Sequence, residues 1–476
     1  MEKVLTVDPS NHRVARAMAR RVADMVIDHF ASLANRPVWH EGDAWLPADG
    51  RSGEWAEILI DMRSVLEHSM QVAHPKFFGH MDSGPLLVAV LADWVASALN
   101  QNMLAWELSP LATAVEEEVI AWLCALCGMD HGEGSLVSGG TVSNLTALLL
   151  ALQSVTQGRF RTEGVWALRR RPVIFASDQA HYSVVKSAAT AGLGEQSVVK
   201  ISTDDAFRMD PERLRTALRE VRASDASPVM VVATVGTTST GSVDPVDAVA
   251  DICREYGVWL HVDAAHGGAL LFSEQKKHLL KGIDRADSVT VDPHKWLMQP
   301  KSMGAILTRH KGALRHLFES GAPYLTRKNE TSARPQSRGG MSLQGSRRFD
   351  ALRLWVTRRY LGDSGLTELV ERNLAQVRAW ADLLRAHPAF ELAHEPELNL
   401  LCFRYRPAGV ADERLDAINE EIQRELMRSG EGFLSVTSLR GRRWLRSVFI
   451  NPTTREEDMR AVLDSIEKIG QRLYGR

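Results

Sequence analysis

The chain reads as an α/β protein with a mostly parallel central sheet, and three observations lead there. Short β-branched apolar runs alternate with longer amphipathic stretches through the middle of its 476 residues, as expected for strand–helix–strand units whose sheet is covered on both faces. Residues suited to chemistry rather than packing sit just after several of those runs, where an open parallel sheet places its ligand crevice. The last quarter has two strand-like runs and two amphipathic helices, which predicts a smaller α+β unit.

In chain order, His12 to Phe30 is basic and amphipathic, with Val14, Met18, Val22 and Val26 at helical spacing. Asp24 and Asp28 argue for a packing helix over a transit peptide, and residues 1 to 30 lack the apolar core of a secretory signal. Leu86 to Leu99 is almost wholly apolar and reads equally well as a core helix or an interface. Strands are predicted at Val173 to Ser177, Val198 to Ser202, Val229 to Thr234, Val258 to Val262, Ser288 to Val291 and Ala305 to Thr308. Pro211 to Val221 and Val246 to Tyr256 are predicted helices between them. The terminal unit has strands at Asn399 to Arg404 and Trp444 to Ile450 and helices at Asp412 to Arg428 and Arg455 to Gln471. Boundaries near Pro85 and Gly362 then give an N-terminal helical segment over 1–85, a large domain over 86–362 and a small C-terminal domain over 363–476.

Three segments carry chemistry. Ser288 to Leu297 is a β-branched run that ends in Lys295 between His294 and Trp296; burial beside apolar and aromatic groups lowers an amine's pKa and frees its lone pair to attack a carbonyl. Val258 to Ala265 reads as a buried strand that delivers Asp263 at its carboxyl end, either as a helix N-cap or as the partner of a pyridinium nitrogen. Ser135 to Asn144, with Gly139 and Gly140 before Thr141 and Ser143, reads as a plain loop or as an anion seat at a helix start. Its spacing matches neither a Walker A loop nor GxGxxG, which argues against nucleotides.

Taken together, the chain resembles the group II pyridoxal-phosphate-dependent amino-acid decarboxylases, the aromatic amino acid, glutamate, cysteine sulfinate and diaminobutyrate group. The carriers, in order, are His74 to Phe78, Asn100 to Pro110, Ser138 to Thr141, Ala180 to Ser183, Gly236 to Thr238, Val262 to Ala265, Asp292 to Trp296 and Arg347 to Phe349. The resemblance implies the PLP-dependent aminotransferase-like type I fold and pyridoxal 5'-phosphate as cofactor. It also implies decarboxylation of an L-amino acid to an amine through an external aldimine and a quinonoid. On that resemblance Lys295 holds the cofactor, Asp263 pairs with the ring nitrogen and Ala265 packs under the ring. His181, an ordinary polar loop residue by itself, stacks over the other face and orients the substrate. Gly140, Thr141 and His294 lie at the phosphate, and Thr238 near the ring hydroxyl. Lys295, His181 and Asp263 are thereby the catalytic candidates. His80, Met81 and Asp82 mark the mouth of the substrate pocket, and Asn102 and Leu104 reach into a neighbouring subunit's site. A homodimer with its active site at the subunit interface follows from the same resemblance.

One departure bears on the product. The aromatic branch carries a proton-donating tyrosine shortly before a Gly-Arg-Arg-Phe-like signature; here Gly345 to Phe349 matches the signature, but Lys328 to Gly340 contains no tyrosine. Tyr324 is the nearest, in a stretch that the resemblance makes a strand end. Either another acid such as His181 serves, or oxygen intercepts the reaction and yields an aldehyde; a catalytically silent regulatory protein is the third reading. Arg327, Arg334 and Arg338 form either a solvated loop or a greeting for an acidic side chain.

Composition bounds the rest. A net charge of −2 gives no basic footprint for nucleic acid, and no apolar run reaches the ~18 residues of a membrane span. Of four cysteines, Cys124 and Cys127 have metal spacing without a second pair and read as buried thiols, so no metal is expected. Reduced cysteines and the missing signal predict a cytoplasmic enzyme acting on a small-molecule amino acid, with no nucleic-acid or membrane partner.

Overall fold

The β-branched and aromatic runs form strands where Gly, Pro or Asp interrupts them. In the computed structural model, which describes residues 7, 9–39, 52–319, 321 and 337–474, seven strands make one sheet: β1 (Glu133–Val137), β2 (Arg171–Ser177), β3 (Val198–Ile201), β4 (Ala226–Thr234), β5 (Trp259–Asp263), β6 (Ser288–Val291) and β7 (Gly304–Thr308). Their order is β1-β7-β6-β5-β4-β2-β3. Strand β7 is antiparallel to both β6 and β1, and all the other pairs are parallel, so every strand but β7 points its carboxyl end the same way. A chain that reverses once, between β6 and β7, thus leaves six strand ends on one edge.

Helix limits follow local chemistry. Asp210 caps the Pro211–Ala223 helix by accepting from the amides of Glu212 and Arg213, with proline at the first helical position. Gly257, at φ +60°, ends the Val246–Tyr256 helix in the left-handed conformation that an L side chain resists. The Gly140–Val155 helix packs Leu148, Ala151 and Leu152 into a core shared with Ile174, Ala176 and Val232 of the sheet.

Packing divides the chain into two units. The unit just described comprises Met81–Arg378 and His394–Leu401; the other comprises Met1–His80, Ala379–Ala393 and Cys402–Arg476. In that other unit the amino-terminal residues pack with the carboxyl-terminal ones: Val38 N–H donates to the Gly430 carbonyl and Phe77 stacks on Phe433 at 5.2 Å. Phe78, Trp380, Phe403 and Phe449 form its aromatic core. A four-stranded sheet has the order β10-β11-β9-β8, with β8 (Phe390–Leu392), β9 (Leu400–Tyr405), β10 (Ser435–Leu439) and β11 (Arg442–Val448). Strands β1, β8 and β10 have no counterpart in the sequence expectations. Strand β8 spans three residues, and β1 and β10 each hold only two large apolar side chains, too few for an alternating pattern to register.

A buried charge cluster fixes β1. Glu116, fully buried on the Pro110–Leu126 helix, accepts from Arg338 Nη2 at 2.9 Å and from Arg347 Nη2 at 2.8 Å. The two guanidinium groups also donate to the β1 carbonyls of Gly134 and Leu136, each at 2.8 Å. Burial opposes ionisation of Glu116, but Arg347 and Arg338 outweigh it and hold the carboxyl below its ordinary range. Arg338 is therefore neither solvated nor available to a substrate, contrary to both sequence readings. Its acidic partner lies 222 residues earlier, which no local pattern reveals. Arg327, Arg334 and Tyr324 lie outside the described residues. Glu116→Gln leaves two cationic groups buried without their counter-charge and is expected to lower stability by about 3–5 kcal/mol; a denaturation midpoint that stays put would contradict this role.

Candidate active site

Five of the aligned strand ends enclose one cavity of about 280 Å3. After β1 comes the Ser138–Thr141 turn, and after β2 comes His181. Strand β4 leads through Thr234 to Gly236 and Thr238, while β5 ends in Asp263 and continues to Ala265. Strand β6 leads to Asp292, His294 and Lys295. Ligand placement outside the carboxyl ends of parallel strands is what this topology allows, because there the backbone leaves the sheet and frees its polar groups and side chains.

Asp263 is the last residue of β5 and only 4% exposed. Its Oδ2 accepts from Asn144 Nδ2 at 2.8 Å and its Oδ1 from the Ala265 amide at 3.1 Å. No Lys or Arg among the described residues forms an ion pair with it. Asn144 also donates to Ser183 Oγ at 2.8 Å, and its carbonyl accepts from His261 Nε2 at 2.9 Å and Thr290 Oγ1 at 3.1 Å. His261 Nδ1 meets Ser288 Oγ, which receives Trp259 Nε1–H, both at 2.9 Å. Burial pulls the His261 pKa down to about 4, against the opposing pull of Asp263.

Lys295 lies in the connection between β6 and β7, with Nζ 3.3 Å from Asp292 Oδ2. The same oxygen accepts from the Gly140 amide at 3.0 Å. Behind the lysine, Trp296 is buried, donates to Asn373 Oδ1 at 2.9 Å and stacks on His266 at 5.2 Å. The His294 ring is tied to the backbone of Met303, and burial lowers its pKa. Glycine is required opposite: Gly139 has φ +151°, and a Cβ there would stand 3.2 Å from the His294 ring. A Cβ at Gly140 would stand 2.9 Å from Asp292 Oδ2. His181, whose pKa burial also lowers, accepts at Nδ1 from the Ser183 amide at 3.3 Å and lies 2.8 Å from Ser183 Oγ.

The structure brings Gly140, Thr141, His181, Thr238, Asp263, Ala265, His294, Lys295 and Met81 to the wall of this one cavity. Other sequence candidates stand elsewhere. Asp82 pairs with Lys301, and His80 lies in the other unit, its ring 5.9 Å from Phe433. Asn102 accepts from the Leu104 and Arg347 amides, and Leu104 gives its carbonyl to Gly339; neither lines this chain's own cavity, and their expected place is a partner subunit's site. Sequence reading passed over Asn144, Ser183, His261 and Asp292. All four stood inside quoted motifs, but only long-range contacts, such as those of Asn144 and Asp292 across 119 and 152 residues, disclose their partners.

These residues fit a phosphorylated pyridine aldehyde. A buried carboxylate that lacks a cationic side chain suits a protonated ring nitrogen. Lys295 provides a primary amine for the aldehyde, and the small-residue turn opening the Gly140–Val155 helix suits the anion. Thr234 Oγ1 and Asp292 Oδ1 are buried on this wall with no hydrogen-bond partner among the described residues, the condition of groups that await a polar ligand.

Protonation of His261 tests the network. Unfolded, its pKa is the ordinary 6.5, and folded it is about 4. Between those values the unfolded chain binds the extra proton, so acidification through this window removes stability, on the order of 3 kcal/mol by pH 4. His181 and His294 shift in the same direction. Urea midpoints are expected to fall from pH 6.5 to 4, less steeply in His261→Gln; equal slopes in the two proteins would refute a neutral buried His261.

Known proteins bear on the same residues. The profile of the pyridoxal-dependent decarboxylase conserved domain matches residues 46–406. Human acidic amino acid decarboxylase is 34% identical, over 88% of this chain and 82% of that protein. The L-2,4-diaminobutyrate decarboxylase of Rhizobium meliloti is also 34% identical, over 99% of this chain and 95% of that one. A crystal structure of mouse CSAD superposes with a TM-score of 0.91 at 30% identity, covering 98% of this chain and 99% of that one. The chain belongs to the pyridoxal-dependent decarboxylase family, and is a carboxy-lyase that uses pyridoxal 5'-phosphate to decarboxylate an amino acid.

Proposed function

We propose that the protein converts an L-amino acid with a charged side chain to the corresponding amine and carbon dioxide, with Lys295, Asp263 and His181 as its catalytic residues. The observation that carries this reading is the convergence of an amine, an uncompensated buried carboxylate and an imidazole on one cavity. The charged side chain is supported by the names of the relatives, an acidic amino acid decarboxylase and a diaminobutyrate decarboxylase.

The bound cofactor supplies an aldehyde for the substrate's amino group and a conjugated ring that accepts the electron pair released with carbon dioxide. The protein's own groups prepare that site. Asp263, held in place by Asn144 and the Ala265 amide, would pair with the ring nitrogen. Ala265 and His181 would confine the ring, Gly140, Thr141 and His294 would hold the phosphate, and Thr238 would lie near the ring hydroxyl. Lys295 would anchor the aldehyde carbon, and its ion pair with Asp292 holds the amine at the cavity. Met81 borders the substrate side.

The active form is proposed to be a cytoplasmic homodimer. Leu87, Leu91, Trp94, Val95 and Leu99 follow helical spacing along the Leu87–Leu99 helix, and each is about half exposed. An apolar stripe of that kind is stable when a second subunit covers it. All four cysteines are buried free thiols, in keeping with a reducing compartment.

Incubation with aspartate, cysteine sulfinate, 2,4-diaminobutyrate and tryptophan, with amine, aldehyde, carbon dioxide and oxygen followed together, tests the reaction. Amine and carbon dioxide from a charged substrate without oxygen uptake are expected. Aldehyde with oxygen consumption would favour the second reading, which rests on the lack of tyrosine in Lys328 to Gly340; no turnover of any substrate would favour a silent regulatory protein. Lys295→Ala is expected to reduce amine formation by at least about 10^3-fold. Trp94→Glu is expected to give a monomer in sedimentation that retains cofactor poorly; a fully loaded monomer would refute the shared site.

A further inference from the structure

Asn144 stands where two walls of the cavity meet, yet it is 2% exposed and each of its hydrogen-bonding positions is used. Its orientation follows from its partners. A carboxylate only accepts, so Nδ2 must face Asp263, and the second Nδ2 hydrogen then goes to Ser183 Oγ. The carbonyl consequently faces Thr290 and His261, which makes Nε2 the protonated nitrogen of His261. His261 Nδ1 is left to accept from Ser288, whose oxygen is occupied by Trp259 Nε1–H. From Trp259 to Asp263 every hydrogen points the same way, an arrangement in which successive bonds polarise one another.

The branch through Ser183 settles a second proton. Ser183 is fully buried and its Oγ accepts from Asn144, so its own hydrogen is free to donate to His181 Nδ1 at 2.8 Å. The Ser183 amide points at that same nitrogen. Two donors on Nδ1 leave the proton on Nε2 of a residue that lines the cavity.

We propose that Asn144 is a positioning residue that aligns two walls of the cavity through one amide, fixing the Asp263 carboxylate directly and, through Ser183, the tautomer of His181 that carries its proton on Nε2. This goes beyond the catalytic reading of Asp263 and His181 but rests on it for its importance to the reaction. One amide sets the acceptor for the ring nitrogen on one side and an N–H donor on the other, and neither is free to rotate.

Solid-state 15N NMR of the histidine-labelled apoprotein reads the tautomer without cofactor, with His181 assigned by the signals lost in His181→Gln. A single Nε2-protonated form is expected in the natural protein. Ser183→Ala leaves only the longer 3.3 Å amide contact on Nδ1 and should convert His181 to a mixture of tautomers, while changing the dissociation constant of pyridoxal 5'-phosphate by less than about threefold because Asp263 keeps its donor. Asn144→Ala should give the same mixture and weaken cofactor binding by about tenfold or more, in the range of other supporting-residue losses. An unaltered His181 spectrum in Ser183→Ala would overturn the proposal, and so would natural cofactor affinity in Asn144→Ala. Should Asn144→Ala fail to fold, Ser183→Ala alone decides the tautomer arm and Ser183→Thr, which restores a hydroxyl, should return the single form. The catalytic reading is judged separately: borohydride reduction of the loaded enzyme and peptide mapping should attach the cofactor to Lys295, and attachment elsewhere would sink that reading without touching the tautomer.

Discussion

A carboxylate sealed from water without a cationic side chain is the constraint around which this site is built. Asp263 is held by an amide side chain and a backbone N–H, which occupy its oxygens without bringing an opposite charge. Such a group is costly unless something positive arrives, and a protonated ring nitrogen would meet that need. Glu116, equally buried, has two arginines, whereas Asp244 is held, among the described residues, only by the Met209 and Thr234 amides, and burial pushes its carboxyl up to about 7. What sets Asp263 apart from both is its place on the wall of the cavity.

Much of the fold was legible because burial on both faces writes itself as β-branched runs, and Ser288–Val291 is found at its expected limits. The Val246–Tyr256 helix was legible for the same kind of reason, an amphipathic run ended by Gly257. Strand β1 escaped notice because Glu133 and Gly134 break the pattern, and its place in the sheet comes from pairing with β7 rather than from propensity. The grouping of the first eighty residues with the carboxyl-terminal ones is a long-range fact that no local window contains.

The site divides along the same line. Lys295, Asp263 and the Gly139–Thr141 turn announce themselves because each combines an unusual residue with a strand end. Ser183 and Asn144 do not, since serine and asparagine near a helix start have ordinary capping uses. Arg338 misled because arginine in a polar stretch is normally solvated, and only the proximity of Glu116 reverses that expectation. Local sequence thus marks the groups that meet a ligand more readily than the groups that aim them.

The single reversal of the sheet has a kinetic side. Lys295 rides on the link from β6 to β7, whose ends are locked into neighbouring strands, while the Asp292 side chain ties the link to Gly140 and the Ser83 hydroxyl bonds the Lys295 carbonyl. The main chain at the lysine is thereby clamped, and the reach of its amine depends on rotation about the four methylenes of the side chain. Rotamer changes of that kind take picoseconds to nanoseconds, whereas loop or domain rearrangements extend to microseconds and beyond. Moving the amine within the cavity therefore demands no slow backbone motion.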